Sequence, residues 1–86
     1  MIEDILFKRA YWRSRRGLLE LDLILLPFVE KSFSSLSVSE KQQYLQLLEQ
    51  DDHDILNWVM AKSICEQAEL TSIVELIHQQ HYSRVD

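Results

Sequence analysis

The 86-residue chain contains one glycine, one proline and one cysteine. Because residues that favour turns are so scarce, little of the chain can be loop, and the many Leu, Ile, Glu and Gln residues favour helices. The single cysteine, Cys65, excludes an intramolecular disulfide and a cysteine-based metal site. A long apolar run is also missing, since residues 18–29 already include Glu20 and Asp22. A membrane-spanning helix needs about 20 apolar residues, so we expect no direct membrane insertion.

Charge is unevenly distributed along the chain. The first sixteen residues carry a net charge of +3 and the remainder −8, which together give the total of −5. The cations of this first segment are Lys8, Arg9, Arg13, Arg15 and Arg16. An acidic domain is a poor nucleic-acid binder, because neutralisation of phosphates dominates that affinity. We therefore expect no nucleic acid as partner, although the basic segment could contact an acidic surface on another protein.

Apolar periodicity and capping residues predict one all-α domain over residues 1–80, a small compact antiparallel bundle of about five helices. The predicted helices span about residues 2–14, 18–33, 37–50, 51–60 and 67–80, and the tail at 81–86 is expected to fray. Pro27 is expected either to kink the second helix or to make it end and restart. The kink is favoured, because Leu23 and Phe28 supply apolar surface on both sides of the proline. Ser37 and Glu40 predict a capping box at the start of the third helix.

Gly17 lies in the stretch RRGLLELD, between the first two predicted helices. Arg16 suits the C-terminus of one helix, Gly17 suits a left-handed turn, and Glu20 and Asp22 suit the N-terminus of the next. The same residues also describe a docking patch, because a residue without a side chain lets another backbone approach between a cation and an anion. The residues by themselves leave both interpretations open.

Candidates for chemistry are few elsewhere. His78 and His81 have a helical spacing that suits a metal, but no third ligand is evident. His53 has acidic neighbours and no nucleophile, and the surrounding aspartates lack the glycine and glutamate of a calcium-binding loop. We predict no catalytic residue, no metal site and no tightly bound cofactor, and therefore a protein that is not an enzyme.

Taken together, the motifs resemble the succinate dehydrogenase assembly factors, the FAD assembly factors or flavinators called SdhE in bacteria. Their R-G-x-x-E motif is matched by RGLLE at residues 16–20, preceded by Trp12 and followed by ELD at 20–22 and PF at 27–28. The similarity resumes in LSVSEK, residues 36–41, and LLEQDDHDILNW, residues 47–58. It covers about residues 8–77.

This resemblance implies a five-helix bundle that binds the flavoprotein subunit of succinate dehydrogenase, or of fumarate reductase in some bacteria. Such factors promote covalent attachment of FAD to a histidine of that subunit, so FAD is the partner's cofactor. The resemblance assigns partner binding to Arg16, Gly17 and Glu20, with Trp12 and Asp22 beside them. We call these five residues the turn site.

Two other functions stay open. The chain could be an antitoxin-like protein that neutralises a small membrane-associated toxin, as this family was once interpreted. It could also bind nucleic acid through its basic segment, which the overall acidity disfavours. The acidic start MIED does not resemble a secretory or transit peptide, so we expect the bacterial cytoplasm as the location. We also expect the protein to be a monomer.

Overall fold

The computed structural model describes residues 2–83, in which five α-helices and one short 3₁₀ turn account for the regular structure and no strand occurs. The helices are α1 Ile2–Ser14, α2 Leu19–Ser32, α3 Val38–Leu47, α4 Asp52–Val59 and α5 Ala68–Ser83, with the 3₁₀ turn at Phe33–Ser35. The Cα radius of gyration is 11.9 Å. A chain of this length is expected at about 12 Å when fully compact. The predicted all-α bundle is confirmed.

Helix α2 lies at the centre of the bundle and packs against α1, α4 and α5, while α5 also contacts α3. Its inward face presents Leu21, Ile24, Leu25, Phe28 and Val29, which are all buried. The side chains that meet them from the other helices include Ala10, Tyr44, Leu47, Ile55, Val59, Leu70, Ile73 and Ile77. Not every large aliphatic side chain is used in this core, since Leu19 and Leu23 of α2 itself stay exposed.

Pro27 lies inside α2, and the helix continues through it from Leu19 to Ser32. The alternative that the helix ends and restarts at this proline is therefore wrong, whereas the kink stays a prediction. Leu23 differs from expectation, because 60% of its side chain is exposed and not packed inward. Proline lacks an N–H, so the carbonyl of Leu23 loses its usual helical donor, and on this outward face water can replace it.

Local capping chemistry sets the starts of α3 and α4. The Ser37 N–H donates to Glu40 Oε1 at 2.9 Å, and the Glu40 N–H donates to Ser37 Oγ at 3.1 Å, which confirms the capping box. Asp51 caps α4 by accepting from the His53 N–H at 3.0 Å. Helix α3 ends at Leu47, earlier than the predicted end near residue 50, because residues 48–50 form the tight turn that reverses the chain into α4.

Helix α5 begins one residue later than predicted and extends to Ser83, past the predicted end near Gln80. His81 therefore lies within α5, and residues 84–86 lie outside the described part of the chain. The division into a domain at 1–80 and a tail beyond it stays a prediction. Within residues 2–83, none of the helices has both the length and the apolar character to cross a membrane.

Candidate functional site

The turn site occupies the last turn of α1, the connection that follows it and the first turn of α2. Gly17 has φ of +81°, the left-handed conformation that the sequence predicts. A Cβ built on Gly17 meets no atom within 4 Å. Packing within the chain therefore does not require the missing side chain; only the backbone conformation favours glycine, and the space above Gly17 is open to another molecule.

Arg16 is the least exposed charged residue of the turn site, with 15% of its side chain accessible. Its Nη1 donates to the Arg13 carbonyl at 2.9 Å, which confirms the expected interaction with the C-terminus of α1. Its Nε donates to Asp52 Oδ1 at 2.7 Å and its Nη2 to the Gln50 carbonyl at 3.2 Å. Arg16 thus joins the end of α1 to the turn between α3 and α4.

Asp22 faces back toward the connection and not outward. Its Oδ1 accepts from the Arg16 N–H at 2.8 Å, and its own N–H donates to the Leu18 carbonyl at 2.9 Å. Leu18 occupies the N-cap position of α2 and has no side chain that can accept a hydrogen bond. The half-buried Asp22 carboxylate therefore stabilises the connection itself, in addition to its favourable place near the helix N-terminus.

Trp12 and Glu20 are the outward-facing members of the turn site. Trp12 is 63% exposed, and the guanidinium carbon of Arg15 lies 5.4 Å from its ring centroid, within the range of a cation–π contact. Glu20 is exposed and forms no hydrogen bond or ion pair with the residues that the structure describes. These two side chains, unlike Arg16 and Asp22, are not used to hold the fold.

Exposed leucines on α2 flank Glu20. Leu19 is 72% exposed and Leu23 is 60% exposed, and their spacing of four residues puts them on one side of the helix. The sequence pattern predicts that Leu23 is among the apolar residues that pack inward. The buried positions Leu21 and Leu25 define the inward face of α2, and Leu19 and Leu23 lie on another face. The result is an apolar surface beside an unpaired carboxylate.

A buried hydrogen-bond chain holds the last turn of α1 against α3. Ser14 Oγ donates to the Ala10 carbonyl at 2.6 Å and lies 2.6 Å from the Tyr44 hydroxyl, which must therefore be the donor in that second bond. Burial raises the pKa of the Tyr44 phenol, while the hydrogen bond to Ser14 and the charge of Arg16 act in the opposite direction. No local pattern in the sequence pairs Tyr44 with Ser14, because the two residues are 30 positions apart.

The arrangement is suited to recognition. In the part of the chain that the structure describes, no three His, Cys, Asp or Glu side chains come together in a group able to hold a metal ion. His78, the candidate ligand near the end of α5, has its Nδ1 2.7 Å from the Val59 carbonyl and its ring 4.5 Å from that of Tyr82. What the turn site offers is an open backbone, a free carboxylate and an exposed indole.

Comparison with known proteins gives consistent results. Residues 8–81 match the model of the family described as flavinator of succinate dehydrogenase. A Vibrio cholerae protein named FAD assembly factor SdhE is 43% identical over 77 residues, covering 90% of both chains. The protein of the same name from Pseudomonas savastanoi pv. phaseolicola is 42% identical over 77 residues, covering 90% of this chain and 92% of that one.

A solved structure supports the same assignment. The solution structure of a UPF0350 protein superimposes with a TM-score of 0.76 at 40% identity, covering 95% of this chain and 87% of the other. The fold, the length and the sequence thus agree across almost the whole chain. The chain belongs to the flavinator of succinate dehydrogenase family, a family of FAD assembly factors and not of catalytic enzymes.

Proposed function

We propose that this protein binds the flavoprotein subunit of succinate dehydrogenase through the turn site and promotes covalent attachment of FAD to a histidine of that subunit. FAD is the partner's cofactor, and the reacting groups belong to the partner. We also propose that the flavoprotein subunit of fumarate reductase is a second client where that enzyme is present. The factor would act as a monomer in the bacterial cytoplasm; the two FAD assembly factors named above are from bacteria.

The observation that carries this proposal is the open space over Gly17. A left-handed glycine whose Cβ position is empty to 4 Å is a place where a partner's backbone can come close. Glu20 stands in the next helical turn with its carboxylate unpaired, ready to accept a charge-assisted hydrogen bond. Trp12 adds an exposed aromatic side chain of the kind enriched at the centres of protein interfaces.

The role of such a factor is to hold its partner in a reactive arrangement. Correct orientation of the reacting groups can remove a large part of an activation barrier, without any acid, base or nucleophile from the factor. This suits a turn site whose described residues include no histidine or cysteine. The proposal therefore assigns the protein the positioning of the flavoprotein and assigns the bond-forming step to the flavoprotein.

Purified protein and the FAD-free flavoprotein subunit of succinate dehydrogenase provide the test. We expect a complex of one copy each by size-exclusion chromatography with light scattering, and faster covalent flavin incorporation when the factor is added with FAD. Incorporation that proceeds equally fast without the factor, and no complex at micromolar concentrations, would contradict the proposal. Recovery of a small membrane protein as the partner from cell extract would favour the antitoxin-like function instead.

A further inference from the structure

The ion pair between Arg16 and Asp52 connects the turn site to a part of the chain that lies far away in sequence. The two residues are 36 positions apart, and their side chains are 15% and 35% exposed. Asp52 is the first residue of α4, whose N-terminus is already capped by Asp51. Capping therefore does not explain why the Asp52 carboxylate is directed at Arg16.

Arg16 is restrained from three sides. Its guanidinium donates to the carbonyls of Arg13 and Gln50 and to the Asp52 carboxylate, and its backbone N–H donates to Asp22. Gln50 is itself fixed, because its side-chain oxygen accepts from Gln67 Nε2 at 2.8 Å. The Arg16 guanidinium thus attaches the connection that contains Gly17 to the α3–α4 turn. It bonds there to one backbone carbonyl, that of Gln50, and to one side chain, that of Asp52.

We propose that Asp52 is a positioning residue for flavoprotein binding, acting through Arg16 to hold Gly17 and Glu20 in the orientation that the partner recognises. Most of the Arg16 donor capacity is directed into the chain, so Arg16 serves this attachment in addition to any contact it makes with the partner. The inference rests on the proposed function, because it concerns the same turn site. It adds a residue outside the R-G-x-x-E stretch to the set that determines affinity.

The physical reason is entropic. A connection of four residues between two helix ends has several accessible conformations, and a partner must select one of them on binding. The Arg16–Asp52 pair selects that conformation before the partner arrives. Weakening the pair should therefore lower affinity for the flavoprotein more than it lowers the stability of the bundle, whose core does not include either side chain.

Asp52→Asn is the test variant and Asp54→Asn is its matched control. Both aspartates lie in the first turn of α4 and both changes remove one negative charge there. Asp54, however, is exposed and makes no contact with Arg16. We expect Asp52→Asn to raise the Kd for the succinate dehydrogenase flavoprotein subunit about tenfold, the scale of one lost charge-assisted hydrogen bond, and Asp54→Asn to leave it within about twofold.

Two further measurements separate positioning from a general loss of structure. Hydrogen exchange at the Arg16 amide, measured by NMR on the free protein, should become faster in Asp52→Asn and not in Asp54→Asn. Arg16→Lys should raise the Kd, and Arg16→Lys combined with Asp52→Asn should raise it no further, because each change alone breaks the same attachment. Multiplicative effects would mean that the two residues act independently and would overturn the inference.

The outcomes also distinguish this inference from the proposed function. If the wild-type protein binds and stimulates flavin incorporation while Asp52→Asn binds equally well, the positioning role is wrong and the function stands. If the wild-type protein does not bind the flavoprotein at all, both are overturned, whatever the amide exchange shows. Faster exchange in Asp52→Asn together with an unchanged Kd also contradicts the positioning role.

Discussion

Arg16 and Glu20, the two charged residues of the RGLLE stretch, lie in opposite environments. The Arg16 guanidinium donates to three acceptors within the chain, and 15% of the side chain is exposed. Glu20 is exposed and has no polar partner among residues 2–83. Substitution of Arg16 will therefore alter the turn itself, whereas substitution of Glu20 reports on what the turn binds.

Glu20→Gln should leave the fold intact and weaken the complex. The unfolding free energy is expected to fall by about 0.5 kcal/mol, the usual contribution of one carboxylate near an exposed helix N-terminus. The Kd for the flavoprotein should rise about tenfold, because an interfacial hydrogen bond loses its charge. Titration calorimetry of the complex and urea denaturation of the free protein measure the two effects separately.

Glu30→Gln is the control for that experiment. Glu30 is also an exposed glutamate of α2, ten residues beyond Glu20 and therefore about three helical turns away from it. Its substitution removes the same charge from the molecule and should leave the Kd unchanged. Equal effects of the two substitutions would indicate a non-specific charge effect and would contradict a contact at Glu20.

At the scale of secondary-structure elements, the hydrogen bond between Ser14 and Tyr44 attaches α1 to α3. Both side chains are fully buried and their oxygens are 2.6 Å apart. The bond positions the last turn of α1, from which the chain enters the turn site. Tyr44 donates to Ser14, and Ser14 donates to the Ala10 carbonyl. Removing the serine hydroxyl and removing the tyrosine hydroxyl therefore leave different groups unpaired, and the two changes should lower the unfolding free energy by different amounts.

Ser14→Ala should destabilise the protein more than Tyr44→Phe does. Loss of the serine hydroxyl leaves a buried tyrosine O–H without an acceptor, at a cost of about 1–3 kcal/mol, whereas Tyr44→Phe leaves Ser14 still donating to the Ala10 carbonyl and costs about 1 kcal/mol. The double variant should be more stable than Ser14→Ala alone, since it removes the unpaired hydroxyl. Urea denaturation of the three variants tests this order, and a double variant less stable than both single variants would refute it.

The buried phenol of Tyr44 should make the unfolding free energy depend on pH in the alkaline range. Burial raises the pKa of its phenol above the ordinary value of 10.0, so the unfolded chain gives up this proton more readily than the folded one. The resulting stabilisation is complete below about pH 10 and is lost as the pH rises above that value. We expect the urea midpoint to fall less steeply above about pH 10 in Tyr44→Phe than in the wild type; parallel curves would contradict the assignment.

Structural features that depend on a few neighbouring residues could be predicted from the sequence. The capping box of Ser37 and Glu40 and the left-handed turn at Gly17 depend on a few neighbouring residues, and the structure contains both. The bonds from Arg16 to Asp52 and from Ser14 to Tyr44 join residues 36 and 30 positions apart, so they depend on how the helices pack. No local pattern specifies them, and for the same reason the pattern did not show that Leu23 faces outward.

At the scale of the whole molecule, the core and the turn site are separate. Buried side chains from all five helices, including Ala10 of α1, form one continuous core. Trp12, Gly17, Leu19 and Glu20 lie outside it, on a surface that the fold supports but does not need. A substitution on this exposed surface can therefore abolish partner binding without unfolding the protein. The central claim of the proposed function, docking of the flavoprotein over Gly17, can be tested in this way.

Gly17→Asn tests this claim most directly. Asparagine tolerates the left-handed conformation better than other residues with a side chain, so it keeps the turn while placing atoms in the open space above it. Gly17→Ala, which should cost about 1 kcal/mol in backbone strain, shows how far strain alone affects function. Circular dichroism should show that both variants are folded at the growth temperature.

The measurement is the in-gel fluorescence of covalently bound flavin on the succinate dehydrogenase flavoprotein subunit, in cells that lack the factor and carry each variant at equal levels. We predict that the wild-type protein restores the fluorescence and that folded Gly17→Asn does not. Restoration by Gly17→Asn to the wild-type level would show that Gly17 serves the turn alone, and would contradict docking at this surface.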